Sequence, residues 1–379
     1  MRVGLFVDVL KHSERSGIGR HVLGLVHAIA KLDQKNTYLL YHTATAAQQD
    51  SLRELLPQQH NMLLRSIPMG HRFVSERPRV FWGYLLPAVL TVDRLDVFHG
   101  PNFFAPLRGR FRRISTIHDL AFIHTEVHGN GLDRLLADWT IRCATAADRV
   151  IAVSDATRVD CIDIGIPNEK IVRIYQGFEH PQDVSSLDAG ERTSEIAQGP
   201  YLLYVGTLQP RKNLETLIEA FSRLSAIIPH NLILAGAKAE SFDLLNALVN
   251  SHGLTQRVTF TGYVSDSQRH ALYQNADLFI YPSLYEGFGL VLLEAMAHRV
   301  ATIAANNSSL PEAGGEATAF FNTHDSDDLA STILRLIQNP QERTLRIEEG
   351  LRQISRFSWT SSAKEHVLLY QQLASHAAS

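Results

Sequence analysis

Two glutamates eight positions apart, Glu286 and Glu294, bracket Gly287-Phe288-Gly289-Leu290 and the apolar run that follows. At about 100° per residue a helix turns such a pair well off a common face. The two carboxylates can converge only with Glu286 in a loop and Glu294 on a helix. Gly287 and Gly289 allow the backbone close to a ligand, and the first N–H groups of a helix carry roughly half a positive charge, suited to a phosphate. Upstream, Arg211 and Lys212 stand side by side before Asn213. A planar guanidinium next to a point-like ammonium suits a diphosphate, although adjacent basic residues are also common on solvated surfaces. Carboxylates for hydroxyls and cations for phosphates describe a ligand such as a nucleotide sugar.

Short apolar runs must position these groups. The run at 277–282 leads into the glutamate loop, and Tyr201 to Val205 precedes Gly206 to Asn213. Asn213 is a good N-cap for a helix with Leu214, Leu217, Ile218, Phe221 and Leu224 on one face. Further strand-like runs at 2–10, 37–42, 62–67, 96–99, 114–118, 149–154 and 170–175 alternate with helical patterns, as do 232–235, 257–262, 300–304 and 318–321. This predicts an α/β fold of parallel sheets with helices on both faces, and ligands gather at the carboxyl ends of such strands. His99 and His118 occupy strand ends of this kind, His118 being the stronger candidate because Asp119 follows it. Tyr263 and Val264 stand where a flat base can pack, and Asp266 can cap the helix after them. The first strand and helix are joined through Gly17-Ile18-Gly19-Arg20, which lacks the third glycine and the later acidic residue of a dinucleotide fingerprint. That loop is expected to be either a plain connection or one that approaches a sugar or phosphate.

Bulk properties narrow the classes. A chain of 379 residues suggests two domains, and a net charge of −3 gives no support to nucleic-acid binding. No apolar run reaches a membrane span, and the N-terminus lacks the apolar core of a signal peptide, so the cytoplasm is the expected location. Cys143 and Cys161 are expected to be reduced core thiols. The basic run Arg108, Arg110, Arg112 and Arg113 reads either as a solvated loop or as a contact for an anionic acceptor or membrane face. Residues 80–90 read as a core helix that tolerates its proline, with Trp82 and Tyr84 also suited to an interface. The stretch 179–200 has linker composition, dividing an N-terminal domain (1–180) from a C-terminal one (201–357), with the last helix (358–376) returning to the first.

Glu286-x7-Glu294 within Tyr281-Pro282-Ser283-x2-Glu286-Gly287-Phe288-Gly289-Leu290 resembles the retaining glycosyltransferases of family 4. Gly206-x4-Arg211-Lys212-Asn213, Ser309-Leu310-Pro311-Glu312, Gly17-Ile18-Gly19-Arg20 and His118-Asp119 extend the likeness over nearly the whole chain. The resemblance implies the GT-B arrangement: two Rossmann-like doubly wound domains facing across a cleft, acceptor side first and nucleotide-sugar side second. It implies that Arg211 and Lys212 hold the donor diphosphate and that Glu286 contacts donor-sugar hydroxyls. The backbone of Phe288, Gly289 and Leu290 would cover sugar and phosphate, Glu294 would bind the ribose, and Val264 would meet the base. His118 would stand beside the reacting sugar, with Gly17 and Gly19 near the diphosphate. None of the candidate site residues forms an Asp-x-Asp triplet that would hold a divalent ion between phosphates, so a metal is not required, and the departing phosphate would take the acceptor proton on the front face. The likeness is nearest to bacterial mannosyltransferases of O-antigen and exopolysaccharide assembly. That favours GDP-mannose over UDP- or TDP-sugars, a glycan or lipid-linked saccharide acceptor, and peripheral contact with the inner membrane. Two features depart from the family. Arg299 stands where a glycine is usual, at a cost of about 1 kcal/mol, and Gln176-Gly177 stands for Asn-Gly. A sugar-nucleotide epimerase of the same fold and a non-catalytic nucleotide-sugar-binding protein are the alternatives.

Overall fold

The computed structural model describes residues 1–11, 17–67, 77–123, 131–178 and 199–375, apart from the side chains of 131–134. Most of the expected linker, 181–200, lies outside the described residues. The chain divides into two compact units, one formed by Met1–Gly177 with Phe357–Ser379 and the other by Phe178–Arg356.

In the first unit the strands are β1 (Arg2–Phe6), β2 (Thr37–His42), β3 (Met62–Ser66), β4 (Val97–Gly100), β5 (Arg112–Ile117), β6 (Arg149–Ala152) and β7 (Ile171–Arg173). All pair in parallel, in the order β3-β2-β1-β4-β5-β6-β7. The second unit repeats the scheme with β8 (Tyr201–Val205), β9 (Asn231–Ala235), β10 (Val258–Gly262), β11 (Leu278–Tyr281), β12 (Ala301–Ala305) and β13 (Thr318–Phe321), in the order β10-β9-β8-β11-β12-β13. In each sheet the strand order reverses once, between β1 and β4 and between β8 and β11. The carboxyl ends at such a reversal leave a crevice for ligands. Strands β8, β11 and β12 are buried along their whole length, as parallel strands covered on both faces must be.

Amphipathic helices supply the cover. The first unit has α1 (Gly17–Leu32), α2 (Ala46–Leu55), a helical segment 78–92 (α3) whose turn Phe81–Leu85 is π-wound, α4 (Gly131–Ala146) and α5 (Asp155–Asp163). The second has α6 (Leu214–Leu224), α7 (Phe242–Ser251), α8 (Asp266–Gln274), α9 (Leu290–Ala297), α10 (Leu310–Gly314), α11 (Ser326–Gln338) and α12 (Pro340–Ile354). On α6 the predicted stripe of Leu214, Leu217, Ile218, Phe221 and Leu224 is buried. The last helix, α13 (Trp359–Ser375), packs on α1, where Ala363, Val367 and Tyr370 join the core of the first unit. Trp359 is wedged there, since a Cβ on Gly24 or Gly177 would lie 2.3 or 2.2 Å from its indole. Gly177 is thus required by packing. Cys143 and Cys161 are free and buried, and burial pushes each thiol up to about 12.

Four local expectations are corrected. Asp266 is the first residue of α8, and the cap is Ser265, whose Oγ accepts the Gln268 N–H. Gly17 to Arg20 form the first turn of α1 rather than a loop. Arg112 and Arg113 begin β5 and pair with Asp148 at 3.3 and 3.2 Å, while Arg108 stacks on Tyr84 with its guanidinium 3.7 Å from the ring centre. Asn213 is left-handed (φ 53°) and makes no side-chain cap for α6.

Arg299 follows α9 with φ 60°. Its N–H reaches the Met296 carbonyl and the Val300 N–H reaches Ala295 (2.9 and 3.1 Å), a helix stop that favours glycine. Arg299→Gly is therefore expected to raise stability by about 1 kcal/mol, read as a shift of the denaturant midpoint at unchanged slope.

Candidate active site

The loops after β8 and β11 meet because those strands are neighbours at the reversal of the second sheet. After β8, the 3-10 turn Pro210–Lys212 ends at Asn213. Its left-handed backbone frees the Asn213 side chain to donate to the carbonyls of Pro282 (3.2 Å) and Thr323 (2.8 Å). Asparagine tolerates this conformation better than most residues, and here it ties the loops after β8, β11 and β13 together.

Glu286 lies in the loop after β11 and accepts from four groups on the single oxygen Oε1. These are the Arg211 guanidinium (2.9 Å), the Lys212 ammonium, the Ser283 hydroxyl (2.6 Å) and the Tyr281 hydroxyl (2.9 Å). Lys212 Nζ also donates to Tyr281 Oη at 2.7 Å, and Arg211 to the Tyr285 carbonyl at 3.1 Å. The backbone of Glu286 is pinned by the Ser308 hydroxyl on its N–H (3.0 Å) and by Ser309 on its carbonyl (2.8 Å). Side-chain exposures of 7% for Lys212, 12% for Glu286 and 20% for Arg211 make this a largely buried ion cluster. Burial acts to raise the Glu286 carboxyl, but Lys212 and Arg211 outweigh it and hold the group at about 2. Two cations thus converge on one carboxylate at the strand ends.

Glu294 is on α9, so loop and helix placement of the two glutamates is as predicted. Its Oε2 lies 3.5 Å from Arg269 Nε and 3.4 Å from the Tyr273 hydroxyl, both on α8. Gly289 opens α9 with φ 103°, and a Cβ there would be 3.1 Å from Leu310 Cδ2. Both strain and space call for glycine, which has no side chain to take the first N–H groups of the helix. Phe288 is buried and Leu290 begins the helix. Gly262 is left-handed (φ 71°), turning the chain so that Tyr263 is 77% exposed while Val264 is buried.

In the first unit His118 follows β5 and is 5% exposed. Its Nε2 donates to the Pro101 carbonyl at 2.8 Å, which assigns the proton of the neutral ring to Nε2. Burial lowers its pKa, opposed by the Pro101 contact and by Asp119. His99 is structural: its two nitrogens are taken by Tyr370 Oη and Thr116 Oγ1, each at 2.7 Å. Gly17 is exposed, with open space where a Cβ would stand, and Gly19 is buried.

Tyr281, Ser283, Ser308 and Ser309 were not singled out as site residues from sequence. The signals were a tyrosine ending an apolar strand and a run of serines before Pro311, both weak without knowledge of strand adjacency.

Comparisons with known proteins bear on the family and the fold. Residues 15–180 match Glycosyltransferase Family 4 and residues 191–353 match Glycosyl transferases group 1. The O-antigen chain mannosyltransferase B of Escherichia coli is 30% identical over 375 residues, 94% of this chain and 96% of that protein. The chain belongs to glycosyltransferase family 4. Among solved structures, sucrose-phosphate synthase from Thermosynechococcus elongatus superposes with a TM-score of 0.76 at 21% identity, covering all of both chains. Anabaena HepE in complex with UDP gives 0.74 at 19% identity, covering 98% of this chain and 100% of that one. The fold of this glycosyltransferase is GT-B, two Rossmann-like parallel-sheet units.

Proposed function

We propose that this glycosyltransferase moves a hexose, mannose in preference, from a nucleoside-diphosphate donor to a glycan or lipid-linked saccharide in bacterial surface polysaccharide synthesis, with retention at the anomeric carbon. The observation that carries the reading is the Arg211–Lys212–Glu286 cluster: two cations held at the strand reversal by one carboxylate, beside a helix that opens on glycine. Departure of a nucleoside diphosphate develops negative charge, and preorganised cations and helix N–H groups stabilise it without reorganisation. All four contacts to the Glu286 carboxylate fall on Oε1, so Oε2 is the atom for donor-sugar hydroxyls. Glu294 takes the ribose, Val264 the base, and the backbone of Phe288 to Leu290 the sugar and phosphate. His118 and the Gly17–Gly19 turn belong to the acceptor-side domain, 1–180 completed by the last helix. The donor domain is 201–357, after a linker at 181–200.

The name and full-length similarity of the Escherichia coli relative support mannose, and GDP as its carrier rests on the family resemblance. A cytoplasmic location with peripheral contact at the inner membrane fits the exposed Tyr84, Val80 and Val92 on α3 beside Arg108. The chemistry calls on no metal, the departing phosphate taking the acceptor proton.

A thermal-shift panel of GDP, UDP, TDP and ADP tests the donor, because a ligand that binds only the folded state raises its apparent stability. GDP is expected to give the largest shift. In calorimetric titrations Lys212→Ala and Glu294→Ala are each expected to weaken nucleotide binding about 10- to 100-fold, roughly one or two charge-assisted hydrogen bonds. Unchanged affinity in both variants would sink the assignment.

A further inference from the structure

A row of aromatic rings runs through His118 in the first unit. Trp359, His21, His118, Phe103 and Phe122 follow one another at centroid separations of 5.7, 4.8, 5.7 and 5.6 Å. His21 meets His118 near edge-to-face at 80°, and Phe103 meets it at 73°. Both neighbours are held in turn. Behind His21, Trp359 is seated in space that only the glycines at 24 and 177 leave open. Phe103 has a left-handed backbone (φ 62°), pinned by its N–H on the Thr116 carbonyl (2.9 Å) and by Ser115 Oγ on its own carbonyl (2.6 Å). Strain of this kind in a non-glycine residue persists where the surroundings over-determine it, and it gathers at functional sites.

His21 itself is 2% exposed, and neither of its ring nitrogens has a hydrogen-bond partner. Gln176 lies near enough to favour the charged ring, without hydrogen-bond geometry to it. Unpaired buried polar atoms cost stability, and each one in a native structure calls for an explanation. An aliphatic side chain would fill the slot more cheaply but would present no flat face to His118.

We propose that His21 is a positioning residue for His118: wedged by Trp359, its ring holds the His118 imidazole in the plane that keeps Nε2 on the Pro101 carbonyl and leaves Nδ1 for the reacting sugar. The inference rests on the reading of His118 given above, and the test separates the two.

His21→Phe keeps a flat ring and His21→Leu does not, while both remove the unpaired nitrogens, so both are expected to fold at least as stably as the wild type. In protein labelled with 15N-histidine, the His118 signal is identified by its loss in His118→Ala. It is expected to report one Nε2–H tautomer in the wild type and His21→Phe, and exchange between tautomers in His21→Leu. GDP release from GDP-mannose is expected to fall at least about tenfold in kcat for His21→Leu. GDP affinity should stay unchanged, and His21→Phe should keep kcat near wild type. A single tautomer and wild-type kcat in His21→Leu would overturn the positioning role. Normal turnover in His118→Ala would instead overturn the reading of His118, and the tautomer measurement would still decide whether His21 holds the ring.

Discussion

Glu286→Ala is expected to cost the second unit about 3–5 kcal/mol, the usual penalty for removing one partner of a buried ion pair. The cause is specific. Lys212 and Arg211 both direct charge at Glu286 Oε1 from positions with little exposure, and alanine removes the carboxylate that both of them pair with. Tyr281 would lose its acceptor as well, and Ser283 would keep only the Arg211 and Tyr285 carbonyls. Glu286→Gln separates charge from shape: an amide oxygen accepts the same hydrogen bonds without the charge, so an intermediate loss is expected. Donor turnover should fall in both variants, because the cations would no longer be held in place for a diphosphate. Denaturant midpoints and GDP release, measured together, check this. A Glu286→Ala protein as stable as the wild type would mean that the cluster contributes nothing to the fold.

The same cluster sets a pH window. The Glu286 carboxyl is held at about 2 against an ordinary value of 4.5. The folded state therefore keeps the carboxylate ionised, and the unfolded chain takes up a proton first as pH falls. Its contribution is fully present above about pH 4.5 and is lost towards pH 2, amounting to about 3 kcal/mol at 1.36 kcal/mol per unit.

How much of this was legible in sequence depended on the range of each interaction. The α6 stripe was read from i, i+3 and i+4 spacing, and burial follows it residue by residue. Placement of Glu286 in a loop and Glu294 on a helix followed from angular arithmetic alone. The pairing of Lys212 with Glu286 was not legible: 74 residues separate them, and they meet because β8 and β11 are adjacent although not consecutive. Sequence reasoning accordingly gave the cations to the diphosphate and the glutamate to the sugar, as separate tasks, where the structure makes them one cluster. Local chemistry also misled where two residues competed. Ser265 and Asp266 are both cap formers, and the Gln three positions after the serine decides for Ser265 by closing a capping box. Asn213 was read as a cap from its type and position, yet its long-range ties to Pro282 and Thr323 determine its conformation. Arg112 and Arg113 looked like a solvated basic run because Asp148, their partner, is 35 residues away from Arg113.

Acidification is expected to destabilise the first unit before the Glu286 cluster is affected. His21, His99, His118 and His366 are buried there, from α1, β4, the end of β5 and α13. Burial is the first cause of lowered pKa in each, and His21 and His99 also feel neighbouring imidazoles. The opposing influences are weaker: Gln176 on His21, Pro101 and Asp119 on His118, and the Ser362 carbonyl on His366. A group kept neutral in the fold takes up its proton in the unfolded chain first, so stability is full above about pH 6.5 and falls below it. His366, held at about 4 against an ordinary 6.5, alone amounts to about 3 kcal/mol of lost stability by pH 4. The chain's 3 tryptophans, Trp82, Trp139 and Trp359, all lie in the first unit, so indole emission follows that unit. The denaturant midpoint read by tryptophan should drop steadily from pH 7 to pH 5, where Glu286 is still ionised in both states. His366→Leu should flatten part of that slope, since it removes both the titrating group and a buried nitrogen without a partner. A midpoint that does not move between pH 7 and pH 5 would mean that these imidazoles titrate in the fold as they do in the unfolded chain.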